Sequence, residues 1–424
     1  MSDPKFNLRS ERPASVWRRL LLAICLLQFA LLLCLIMANR QLSNSLKASS
    51  VIGVTTTTNR QEPVFYGKSG PWGDLKYVRI TIEPPDEFVP VDDRVFEKTR
   101  WHFAGYQRSQ LADLFNACDL TPAQRAGLLD TNTWSDAIND IVVTPSDRLI
   151  LELSEAARTK IYSVLAESVL NDFQYWPFTF RLDGFDEWFQ RSGVSDATRA
   201  LVRRLTYRRG QSLCFSDLPE VFAQIPTVAE RRRLFKTLSR NSTLLMKLQI
   251  NPDTDTDDLY SYWAKGGRAK DLKPLLESLT KVPGGITIDV AHLLPPFARK
   301  RLNSYPFPQA DPSVAAPDCF WTALNFFNEP PDDRYRDDNV WKAELQANYT
   351  VVTQPTYGDL IFLLRPDDSP LHAAVYVADD VVFTKNGGNY RQPWILMEWA
   401  DLMARYPENH ALRTVIFHRT GPAK

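Results

Sequence analysis

The run Leu20–Ala38, LLLAICLLQFALLLCLIMA, carries no charge, and Gln28 is its only strongly polar residue. In hydrocarbon the backbone polar groups of such a run must be satisfied internally, which restricts it to a helix. At 1.5 Å rise per residue, the run and its flanks are long enough to cross a bilayer core of ~30 Å. Lys5, Arg9, Arg12, Arg18 and Arg19 precede it, and Arg40 and Lys47 follow. The positive-inside rule predicts a cytoplasmic N-terminus, with residues from about 39 onward outside. A cleavable signal peptide and a buried helix are the alternatives. The run exceeds a usual h-region and no A-x-A site follows, so a single uncleaved anchor is expected. Cys25 and Cys34 then read as lipid-facing or packing residues.

The remainder is long enough for two or three domains at roughly 150 residues each. Apolar residues make up 44% of the 424-residue chain and charged residues 24%, which excludes wholesale disorder. Lys+Arg and Asp+Glu are both 50, so no basic excess points to nucleic acid. The five cysteines form no CxxC pair and the five histidines no HExxH or HxH pattern. No metal site and no cofactor are expected.

Residues 1–19 are assigned to a cytoplasmic tail, 20–38 to the anchor and 39–65 to a Ser/Thr/Asn/Gln-rich linker. KYVRITIEP, Lys76–Pro84, alternates as a half-buried strand with Val78, Ile80 and Ile82 on one side. Residues 66–280 are otherwise expected to be mainly α-helical and of unassigned role. Thr121 and Thr227 open capping boxes, and Ser154 and Ser195 are N-cap residues. After Ser154 an apolar face runs through Ile161, Val164, Leu165 and Leu170. NPDTDTDD, Asn251–Asp258, starts like a calcium loop, but Asp258 stands where glycine is needed and Ala264 where the bidentate Glu is needed. It reads as a solvated acidic turn. Arg203, Arg204, Arg208 and Arg209 read as a solvated helix face, with an anionic polymer as the sharper alternative.

After Val282-Pro283-Gly284-Gly285 the texture becomes α+β. Asp318 is a good N-cap residue and puts Cys319 in a first helical turn, where N–H groups favour a thiolate and can receive an oxyanion. A strand follows Gly358-Asp359, and His372 opens the next, its ring expected to face a helix lying across the sheet. Asp379-Asp380 reads as a tight turn before a third strand ending at Gly387. Thr384 and Asn386 share strand parity, and Lys385 points to the opposite face. Taken singly, Cys319 is more often a buried structural thiol and His372 an ordinary polar strand end.

The ordered set Asp318-Cys319-Phe320-Trp321, Gly358-Asp359-Leu360-Ile361-Phe362 and His372-Ala373-Ala374-Val375-Tyr376 resembles the NlpC-like cell-wall cysteine peptidases, a compact papain-like family. The resemblance covers about residues 290–424. It implies a papain-like domain over 281–424, a Cys-bearing helix packed on an antiparallel sheet. It also implies Cys319 as nucleophile, His372 as general base and later acid, and a third polar residue orienting the imidazole. Asn386 is preferred for that role, with Thr384 as the alternative. Two departures stand out: Phe320-Trp321 replace the small Ser-Gly after the family's Cys, and the expected third His is absent. His410, Glu398 and Asp401 read as surface or packing residues and His418 as structural.

The expected function is that of a membrane-anchored thiol hydrolase cleaving amide bonds in cell-wall peptides, outside the cytoplasmic membrane (periplasmic in a Gram-negative cell). A peptidoglycan stem peptide or similar peptide is the expected partner. The alternatives are a catalytically inactive scaffold or wall-binding protein, and a transglutaminase-like thiol acyltransferase. For the last, Asp379 and Asp380 fall too early. A Cys118–Cys214 bridge cannot be read from spacing.

Overall fold

A computed structural model describes residues 63–89, 91, 97–307 and 316–421. The tail, the Leu20–Ala38 run and all but the end of the linker lie outside the described residues. Among the described residues no helix is long and apolar enough to cross a membrane. The chain from Glu62 onward forms one α+β unit with four antiparallel sheets.

The largest sheet has six strands in the order Tyr349–Val352, Arg413–Arg419, Leu360–Leu364, Pro370–Ala378, Val381–Lys385 and Trp394–Glu398. Side chains alternate across it. Ala373, Val375 and Val377 enter a core shared with Trp321, Ala323 and Leu324 of the helix Cys319–Leu324. Ala374 and Tyr376 enter a second core with Leu402 of the helix Trp399–Arg405. The sheet is therefore covered on both faces, which explains its nearly continuous apolar strands. At its entry, Gly358 has φ +88, and a Cβ there would lie 2.3 Å from the Phe327 ring.

A four-stranded sheet, Val64–Tyr66, Asp74–Ile82, Asn241–Ile250 and Ile286–Asp289, packs beside this body. The expected strand at 76–84 is present, but its buried side is Leu75 and Tyr77, while Val78, Ile80 and Ile82 are half-buried. Its polar members decide this. Tyr77 donates to Asp379 Oδ2 at 3.1 Å, and Arg79 bonds Asp401 and Glu398 Oε2, the latter at 2.8 Å. Glu398 and Asp401 thus anchor one sheet to the next. Asp379 and Asp380 are engaged by Tyr77 and Lys68. Leu75, Leu244, Leu248, Phe297, Trp321 and Phe383 belong to one continuous core.

The middle region is not helical throughout. Two three-stranded sheets lie within it, Trp101–Ala104 with Trp134–Ala137 and Asp140–Val143, and Phe178–Arg181 with Tyr207–Arg209 and Ser212–Phe215. The first sits in one apolar cluster, and the second contributes Phe180 and Phe215 to another and Tyr207 and Cys214 to the first. These strands have three or four residues, too few for a period-two pattern to register. Thr121 forms its capping box and Ser154, Ser195 and Thr227 form N-caps, but the Thr227 box does not close because Glu230 accepts from Ser195 N–H instead. Leu170 is exposed, however, because the helix stops at Leu165, whose carbonyl accepts from the buried Asn171 side chain at 2.8 Å. The four arginines do not share a helix face. The helix ends at Arg204, Arg208 and Arg209 lie on a strand, and Arg209 is buried. Inside the region, the buried Arg158 guanidinium pairs with Asp217 at 2.8 Å and donates to the carbonyls of Leu153 and Ile150.

Candidate active site

Asp318 has extended backbone, and its carboxylate accepts from Trp321 N–H at 2.8 Å, so Cys319 is the first helical residue. That helix has six residues and little macrodipole. The thiol is buried. Burial pushes its pKa up to about 12, the Asp318 charge adds to this, and the N–H of Ala373, the Lys385 charge and its own N–H oppose it. Phe320 and Trp321 turn away from the thiol. Phe320 stacks on Trp341 at 4.6 Å, and Trp321 packs on Phe297 at 5.4 Å and donates to Asp333 at 3.1 Å. Their bulk fills the core instead of closing a groove.

His372 is fully buried on the strand Pro370–Ala378. Its Nε2 lies 2.8 Å from Thr384 Oγ1 and its Nδ1 lies 2.7 Å from the Tyr406 hydroxyl. Burial pushes the imidazole down to about 3, so the ring is neutral. Burial raises the Tyr406 phenol far above its ordinary value, so it keeps its proton. These states fix the tautomer. Tyr406 donates to Nδ1, Nε2–H donates to Thr384 Oγ1, and Thr384 donates onward to Asn386 Oδ1 at 3.5 Å. The Tyr406 ring also stacks on the imidazole, with centroids 4.5 Å apart. Of the two candidate orienting residues, Thr384 touches the ring; Asn386 lies behind it and within 3.5 Å of the Tyr406 hydroxyl.

Thiol and imidazole are neighbours without being hydrogen-bonded. The Ala373 N–H that reaches the Cys319 sulfur belongs to the residue after His372. Registered pairs between this strand and Val381–Lys385 begin only at Val375, so the strand ends are splayed where the sulfur sits. By alternation His372 shares the face of Ala374 and Tyr376. The helix that its ring faces is Trp399–Arg405, carrying Tyr406 just past its end, and not the Cys319 helix. Tyr406 holds Nδ1 of His372 from the end of that helix.

Two residues were given no role in the site from the sequence. Tyr406 follows Leu402 at i,i+4, a spacing that puts both on the helix side facing the sheet. Lys385, on the Cys319 side as its parity predicts, donates to Gly387 O at 2.6 Å and Asn389 O at 3.0 Å. Burial pushes it down to about 8, opposed by the charges of Cys319 and Asp318. His418 Nδ1 lies 2.7 Å from Asp359 Oδ1, tying the last strand to the Gly358-Asp359 turn. Cys118, Cys214 and Cys319 are all free and buried. Comparison with protein-family models, with curated proteins and with solved structures returned no match.

Proposed function

We propose that this chain is a membrane-anchored thiol hydrolase with a papain-like C-terminal region, cleaving amide bonds in cell-wall peptides outside the cytoplasmic membrane. The observation that carries the reading is the buried chain from Tyr406 through His372 and Thr384 to Asn386. It leaves the basic lone pair of His372 at Nδ1, and the next residue, Ala373, directs its N–H at the Cys319 sulfur. The order Cys319, His372 and a third polar residue, and the resemblance to NlpC-like peptidases, support it further.

In this state thiol and imidazole are both neutral. Substrate entry beside Tyr406 brings polar groups to the site and relieves the burial that holds both neutral. The thiol proton is transferred to His372 Nδ1, the nitrogen that Tyr406 holds in the resting state. This leaves thiolate and imidazolium. The thiolate attacks the amide carbonyl, and the N–H groups of Cys319 and Ala373, both directed at the sulfur, lie nearest the developing oxyanion. The imidazolium returns its proton to the leaving amine, and a thioester forms. Water, deprotonated at Nδ1, adds to the thioester; the acid leaves and the thiol is restored. Thr384 acts as a positioning residue, holding the tautomer through Nε2.

A second reading, a non-catalytic scaffold, draws on the missing hydrogen bond between Cys319 and His372 and the high thiol pKa. The test is to incubate the full chain in detergent with peptidoglycan peptides, beside Cys319→Ala, and follow products by mass spectrometry. Cys319-dependent fragments support the hydrolase, and amine-exchanged products would make it an acyltransferase. No product, with no selective iodoacetamide labelling of Cys319, would leave the scaffold.

A further inference from the structure

Tyr406 and Asn386 have a second side. With Gly387 and Gly388 they wall a cavity of about 500 Å³, closed opposite by Tyr175, Trp176 and Phe178 of the middle region. That size is typical of a ligand site. Arg209, Arg391 and Arg405 also line it.

Elsewhere the buried arginines Arg79, Arg158 and Arg240 each hold a carboxylate. These three hold none among the described residues. Arg209 donates to Asn409 Oδ1 at 3.2 Å and Gln174 O at 3.0 Å. Arg405 donates to Thr179 Oγ1 at 3.0 Å. Arg391 stacks on Phe235 at 5.0 Å. The two carboxylates on the wall are placed otherwise. Glu408 lies 3.7 Å from Arg365, and Asp172 sits in the first turn of Asp172–Tyr175. Burial lowers the pKa of Arg391 and Arg405 with no carboxylate opposing it. Arg209 is buried and Arg391 and Arg405 are half-buried, and charged guanidinium groups withdrawn from water without a carboxylate call for an anion. One more lining group is unmet: Gln392 is 7% exposed, and its Oε1 accepts no hydrogen bond. An orphan acceptor calls for an N–H donor, which a bare oxyanion lacks.

We propose that this cavity binds a peptide through a free carboxylate, with Arg391 and Arg405 receiving the carboxylate, Gln392 accepting a peptide N–H, and Trp176 and Tyr175 covering the apolar side. Arg209 joins this wall to the C-terminal segment. Taking the occupant for substrate rests on the hydrolase reading, because Tyr406 is the wall shared with His372. The middle region then supplies half of the substrate site.

The test is calorimetric titration of the full-length protein in detergent with acetyl-Ala-Ala-Ala as the free acid, as its C-terminal amide, and with inorganic phosphate. The acid should bind at least about tenfold more tightly than the amide. Arg391→Gln should bring the acid to the amide's affinity without changing the unfolding midpoint. Equal binding of acid and amide, or an unchanged preference in Arg391→Gln, would overturn the proposal. Phosphate binding as tightly as the acid would reduce the site to an oxyanion site and overturn the peptide assignment. Cys319→Ala should bind the acid as the parent does. Preference retained without any cleavage would refute the hydrolase alone, whereas cleavage without preference would refute this inference alone.

Discussion

Replacing His372 by Gln should tilt the pH dependence of stability by a calculable amount. Glutamine reproduces the donor pattern of the neutral ring, with Nε2–H toward Thr384 and Oε1 toward the Tyr406 hydroxyl, but does not titrate. Burial lowers the imidazole from 6.5 to about 3. The unfolded chain therefore binds a proton as pH falls below 6.5, while the folded chain does not. The stability that His372 contributes by staying neutral is present above 6.5 and is lost as pH falls toward 3. Between pH 7 and pH 5 the loss integrates to about 2 kcal/mol.

Glu220 opposes it. Burial first, and then the Asp217 charge, raise its carboxyl from 4.5 to about 7. Here the folded chain holds the extra proton. The contribution is complete below 4.5 and lost as pH rises through 7, again about 2 kcal/mol between pH 5 and pH 7. In the parent these two slopes nearly cancel over that interval. His372→Gln should therefore become more stable at pH 5 relative to pH 7 than the parent by about 2 kcal/mol, and Glu220→Gln less stable by a similar amount. Urea unfolding of the three proteins at both pH values measures this. Parallel profiles for parent and His372→Gln would refute the claim that the ring is buried and neutral.

Three further outcomes follow from the same geometry. Tyr406→Phe leaves Nδ1 without its donor, so it should cost about 1–3 kcal/mol in urea unfolding and change the rate of Cys319 alkylation at neutral pH; unchanged stability and rate would mean the hydroxyl engages neither partner. Asp318→Asn keeps an N-cap side chain but removes a charge that raises the thiol, so iodoacetamide labelling of Cys319 at pH 9 should accelerate with little change in unfolding midpoint; an unchanged rate would dismiss that charge as a cause. Gly358→Ala should destabilise by about 2–4 kcal/mol, since φ is +88 and the new Cβ meets the Phe327 ring at 2.3 Å; trimming Phe327 in the same chain should recover part of the loss, and no recovery would place the cost in the backbone alone.

The sequence carries the order of the site more plainly than its sidedness. Asp318 as a cap and the Gly358-Asp359 turn are local features, set by residues within a few positions, and they form as read. The choice between Thr384 and Asn386 was not local. Both have the parity of His372 on the next strand, and the register of that pair, starting at Val375 with a shift after Tyr376, decides which reaches the ring. The short strands of the middle region were hidden for a different reason. A tripeptide such as Tyr207–Arg209 has no periodicity of its own and is extended because it pairs with Ser212–Phe215.

Tyr406 joins these two kinds of information. Leu402 fixes the helix face locally, but only tertiary packing brings that face over His372 and opens its other side to the cavity of Arg391 and Arg405. The open space lies on the side of the middle region, against Asn386, Gly387 and Gly388. A group that enters this cavity meets Arg209, Arg391 and Arg405 on its wall. If the cavity takes the peptide as proposed, the charge of these arginines makes a neutral peptide and an acidic one differ in binding before they differ in chemistry.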